Sequence, residues 1–60
     1  MYLLLISCNN GRSLLTQFKR DNYFKTLEDN VVAESNRLLA EHGVDKSEIN
    51  SINFKEIYDV

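Results

Sequence analysis

Cys8 and His42 are the residues with which this chain could do covalent chemistry, because an imidazole beside a thiol generates a thiolate nucleophile. A catalytic pair also needs a group that orients the imidazole, an oxyanion hole and a pocket that excludes water. The sequence offers no residue with the first role and too little chain to build the other two. Cys8 therefore reads as a small buried apolar residue and His42 as a cation matched to a helix C-terminus. The same two are the only soft metal ligands in the chain, well short of a tetrahedral zinc set, so neither metal nor cofactor is expected.

The other charged groups make no stronger case for chemistry. Glu28 and Asp29 stand where a helix starts, and Glu34 and Glu41 share one solvated helix face. Asn10-Gly11 lacks both the Gly-rich pattern and the following Lys-Ser/Thr of a phosphate loop. Arg12, Lys19, Arg20 and Lys25, near Phe18, Tyr23 and Phe24, are too few and too scattered to hold a nucleic acid firmly, which makes weak nucleic-acid binding the least favoured reading. A binding protein is expected, not an enzyme.

Sixty residues form one domain, 1–60, with no repeat or low-complexity tract to divide it. With 43% apolar residues, two glycines and no proline, the composition is that of a folding chain. A single cysteine closes no intrachain bridge, so oligomerisation or partner binding is the remaining means of supporting so small a core. Tyr2-Leu3-Leu4-Leu5-Ile6 is too short to span a membrane and has no basic residue before it, as a secretory signal would; Leu5-Ile6-Ser7-Cys8 is for the same reason not taken as a lipoprotein box. The expected compartment is the cytoplasm. Charge divides along the chain: Arg12, Lys19, Arg20 and Lys25 oppose Asp21 alone in residues 1–25, whereas residues 26–60 carry eight acidic residues against three basic ones.

Residues 2–8 are the most apolar run and end at Asn9-Asn10-Gly11, which predicts a strand and a hairpin. If Asn10-Gly11 is a two-residue type I′ loop, Leu3 faces Phe18, Leu5 faces Thr16 and Ser7 faces Leu14. Tyr2, Leu4, Ile6, Cys8 and Leu15 then lie on the opposite face. Thr26 and Gly43 bracket a helix from Leu27 to about His42, with an apolar face of Leu27, Val31, Val32, Leu38 and Leu39. Val44 to Ser51 reads as a polar connection, with one helical turn at Asp45. From Ile52 the alternation of Ile52, Phe54, Tyr58 and Val60 with polar residues predicts a last strand with one buried face. The expected fold is a small α+β domain of order ββαβ, with a three-stranded, mainly antiparallel sheet of order 2-1-3 packed on one helix.

Both faces of the predicted hairpin are apolar, and one helix covers only one of them. Leu3, Leu5, Leu14 and Phe18 are assigned to the helix, which leaves Tyr2, Leu4, Ile6 and Leu15 as an exposed patch of the kind that marks interaction sites. The hairpin, long helix and closing strand, together with Ala33-Glu34-Ser35-Asn36-Arg37-Leu38-Leu39, resemble the Dmd-type phage antitoxins, which block a host RNase toxin, and the resemblance implies a small stoichiometric inhibitor, as other phage anti-defence proteins also are. The expected function is thus a non-catalytic inhibitor, of antitoxin or anti-defence type, that docks on a larger host protein such as a nuclease. The partner-binding residues are expected to be Tyr2, Leu4, Ile6 and Leu15, with Glu34 and Glu41 of the acidic helix. The alternative is a homodimeric structural or assembly module closed by the same patch.

Overall fold

The structure, a computed structural model, describes residues 1–57. Tyr58 and Val60, assigned above to the last strand, lie outside the described residues. Strand β1 (Tyr2–Cys8) runs between β2 (Ser13–Phe18) and β3 (Ile49–Glu56), antiparallel to both, in a sheet of order β2-β1-β3. Helix α1 (Leu27–His42) connects β2 to a short 3₁₀ turn (Lys46–Glu48) that leads into β3. The fold is the α+β arrangement expected, with the most apolar strand in the centre.

Local chemistry accounts for the element ends. Thr26 Oγ1 accepts the backbone N–H of Asp29 at 3.1 Å, satisfying one of the amides a helix start leaves free. Gly43, at φ 64°, closes the helix in the left-handed conformation that only glycine adopts cheaply, and its N–H and that of Val44 return to helix carbonyls. Asp45 caps the 3₁₀ turn by accepting from Ser47 N–H at 3.0 Å, while Glu48 reaches back to Asp45 N–H at 3.1 Å, a complete capping box.

The hairpin register differs by one residue from the expected one. Tyr2 pairs with Phe18, Leu4 with Thr16, Leu5 with Leu15 and Ile6 with Leu14. Cys8 N–H donates to Arg12 C=O at 2.8 Å, so the loop is the three residues Asn9, Asn10 and Gly11. Only Gly11 has positive φ, at 85°, whereas a type I′ loop would also need Asn10 there. Asn10 instead turns its Oδ1 to accept Arg12 N–H at 3.0 Å. Because side chains alternate along a strand, this shift exchanges the two faces of β1 relative to β2.

The core consequently comprises Leu4, Ile6 and Cys8 of β1, Leu14 and Phe18 of β2, Val31, Leu38 and Leu39 of α1, and Val44. Leu4 and Ile6, expected on an exposed patch, are 0% exposed, and Leu3 and Leu5 occupy the outer face in their place. Burying such side chains stabilises a domain by about 1.5–3 kcal/mol each. Tyr2 is half-buried at the border of the core, its ring stacked on Phe18 with centroids 5.5 Å apart.

The last strand departs from expectation as well. It begins at Ile49, and between Ser7 and Cys8 the ladder with β3 skips Asn50, a bulge that turns both Ile49 and Ile52 toward the helix side. Helix α1 packs over β1 and β2, and the expected burial of β3 does not occur: Ile52 is 41% and Phe54 40% exposed.

A groove beside the helix and an open strand edge

Val32 is the helix residue furthest from its expected place. Assigned above to the core stripe, it is 58% exposed, because α1 directs Val31, Leu38 and Leu39 down onto β1 and β2 and leaves Val32 on its β3-facing flank. Across from it, Ile52 and Phe54 pair with Ile6 and Leu4 and so share the core-side face of the sheet. An α-helix is about 10 Å wide and strands lie about 4.8 Å apart, so one helix roofs two strands and not three. The uncovered strip is a groove of about 380 Å³, walled by Val31, Val32 and Leu39 on one side and floored by Ile49, Ile52 and Phe54. Glu28 and Lys46 supply its charges.

The opposite face of the sheet carries a second, smaller concavity of about 320 Å³ between Leu3, Leu5, Leu15, Asn53 and Lys55, with Phe54 bordering it. Leu15 is 62% exposed there, opposite Leu5. Of the residues expected to bind a partner, Leu15 is therefore on an open surface, Tyr2 is half-covered by the core, and Leu4 and Ile6 are inaccessible.

Glu34 and Glu41 are both engaged by one cation. Arg37 donates to Glu34 Oε2 at 2.8 Å and to Glu41 Oε1 at 2.6 Å, and the two carboxylates raise its guanidinium further above its already high ordinary value. This side of the helix is accordingly less negative than its acidic residues alone suggest.

The backbone of β3 is the other open element. Ile57 N–H donates to Met1 C=O at 2.9 Å, in the same register that pairs Tyr2 with Glu56, so Ser51, Asn53 and Lys55 of β3 exchange hydrogen bonds with β1. The N–H and C=O groups of Ile52, Phe54 and Glu56 point the other way, to the free edge. On β1, odd residues serve β3 and even residues serve β2, as the Cys8–Arg12 bond shows. Thus β1 is paired on both sides, while the outer edge of β3 has no strand partner among the described residues.

The residues capable of covalent chemistry are not assembled. Cys8 is 6% exposed within the core, and the exposed His42 sets Nδ1 against Leu38 C=O at 3.0 Å. Among the described residues no group of three or more His, Cys, Asp or Glu side chains could hold a metal ion. Among the described residues no helix is long and apolar enough to cross a membrane.

The structure also reveals a buried polar joint that sequence reasoning passed over. Asn30 is 0% exposed; its Oδ1 accepts Asp21 N–H at 2.7 Å and lies 3.4 Å from Arg20 Nη1, while Arg20 Nη2 donates to Phe24 C=O at 3.0 Å. Its one available signal was an amide on the stripe between Leu27 and Val31. Comparisons with known proteins identify no relative: no family model matches the chain, and neither does a curated protein or a solved structure.

Proposed function

We propose that this domain is a non-catalytic protein-binding module of the inhibitor kind, which docks on a larger protein by receiving an apolar segment of it in the groove between α1 and β3. The observation that carries the reading is the exposure of Ile52, Phe54 and Val32 on facing walls of one trough. Concave apolar surface of this kind gains most when a partner covers it. The excess of acidic residues after Lys25 favours a partner with a basic surface, such as a nuclease, since complementary charge speeds and orients docking. The resemblance of Ala33–Leu39 to phage antitoxins supports the same class of function.

The test is a comparative capture from host lysate, treated with nuclease to remove nucleic-acid bridges, using the wild type, Ile52→Lys and Leu15→Lys. A protein retained by wild type and Leu15→Lys but lost with Ile52→Lys places the partner in the groove. Loss with Leu15→Lys alone moves the site to the outer face, and retention by both variants removes both surfaces from the function. Binding that disappears with nuclease treatment returns the domain to the nucleic-acid class.

A further inference from the structure

We infer that two copies of this chain pair antiparallel through their β3 edges, with Asn53 on the two-fold axis, to form one continuous six-stranded sheet. The inference concerns the edge in the plane of the sheet, and it shares with the docking proposed above the side chains of Ile52 and Phe54, so Asn53, which lines no part of that groove, is the residue that tests it separately.

The edge-directed groups of Ile52, Phe54 and Glu56 satisfy the first requirement, a row of donors and acceptors with no strand partner among the described residues. Symmetry then restricts the register. Residues opposed across an antiparallel pair must share a face, so only pairings that keep even residues opposite even ones are possible. Centring on Asn53 sets Ile52 opposite Phe54 of the other copy, Ser51 opposite Lys55 and Asn50 opposite Glu56. This is the register in which the two large apolar side chains of the edge meet each other and no charge meets its like. Moving the axis to Ile52 puts Phe54 opposite Asn50, and moving it to Phe54 puts Ile52 opposite Glu56. Lys55 and Glu56 in the edge strand do not block the pairing, because in the favoured register each opposes a neutral polar residue.

A stable homodimer buries roughly 600 Å² or more from each copy, about one-seventh of this chain's 4344 Å². Backbone pairing along one strand falls short of that by itself, and the cross-strand contacts of Ile52 with Phe54, made twice, provide the apolar part.

Sedimentation equilibrium of the full chain tests the assembly, and a Cys variant tests its register. The wild type is expected at twice its 7.0 kDa mass in solutions of up to about 100 µM, where a micromolar Kd fills the dimer. Asn53 pairs with its twin in a non-hydrogen-bonded position, with Cα atoms about 4.5 Å apart, a separation that suits a disulfide. Asn53→Cys should therefore cross-link quantitatively on mild oxidation, while the wild type, whose Cys8 is buried, should not. Lys55→Cys should cross-link with Ser51→Cys and not with itself. Asn53→Lys, which sets two ammonium groups face to face, should keep its circular dichroism and weaken the dimer more than about tenfold. A wild type that stays monomeric at the highest concentration overturns the inference. So does a dimer that survives Asn53→Lys, or one that cross-links through Leu15→Cys in preference to Asn53→Cys.

Discussion

The side-chain oxygen of Asn30 accepts the backbone N–H of Asp21 at 2.7 Å, fastening the start of α1 to the chain that leaves β2. The same oxygen lies near Arg20, whose guanidinium also holds the carbonyls of Asp21 and Phe24. The connection from Lys19 to Thr26 is thereby shaped around one wholly buried amide. Asn30→Ala should destabilise the domain by about 1–2 kcal/mol, through loss of the hydrogen bond that this buried side chain makes to the Asp21 amide. Chemical denaturation gives the magnitude, and faster hydrogen exchange at the Asp21 amide identifies the cause. Unchanged exchange there would dissociate the bond from any loss of stability.

Adjacent residues of β1 distinguish the two sheet faces. Leu4→Ala, in the core, should cost about 2–5 kcal/mol, whereas Leu3→Ala, on the outer face, should cost about 1 kcal/mol or less. Phe18→Ala and Leu39→Ala belong with Leu4→Ala, since both side chains are buried in the same cluster. Thermal melts of the four variants suffice, and an inverted order for Leu3 and Leu4 would restore the alternative hairpin register.

Arg37 joins Glu34 and Glu41 on an exposed stretch of helix. Exposed pairs of this spacing contribute little, so Arg37→Ala should leave the thermal melt almost unchanged. It also releases two carboxylates. If a basic partner reads the helix, association should become faster and more sensitive to salt in this variant; an unchanged salt dependence would exclude that side of α1 from docking.

The phenol of Tyr2 is held above its ordinary value of 10.0, first by burial and then by the Glu56 carboxylate, with Arg20 opposing. On raising the pH, the unfolded chain loses this proton before the folded one does, so the folded state binds more protons and stability falls. The contribution is complete below 10.0 and is lost as pH climbs through the higher folded value. Melting temperature should therefore decline more steeply above this point in the wild type than in Tyr2→Phe. Parallel curves would show that Tyr2 ionises equally in both states.

Legibility in the sequence followed the range of the interactions. The helix was readable to its last residue because Thr26 and Gly43 act within a few positions of themselves. Strand order was readable because only the centre of a small sheet accommodates the unbroken apolar run of β1. The faces were not, since Asn10-Gly11 suits either a two- or a three-residue loop and the choice reverses every side chain downstream. Nor was the open strip over β3, which depends on the width of a helix against that of a sheet and on a bulge at Asn50 that no local pattern announces. The surface residues followed from the same miscount: Leu15 was placed outside correctly, whereas Leu4 and Ile6 exchanged roles with Leu3 and Leu5, and Ile52 and Phe54 were assigned to a buried face.

The three-residue turn also limits how this gene can change. Deleting a single codon between Cys8 and Arg12 makes the loop even in length, so β2 would meet β1 with Leu14 and Phe18 turned to water and Leu15 turned inward. Adding two codons preserves the parity and leaves the core in place. Length variation at this turn among descendants of the sequence should accordingly be confined to steps of two. A single-codon change could persist only alongside a compensating bulge in the hairpin, of the kind β3 already carries at Asn50.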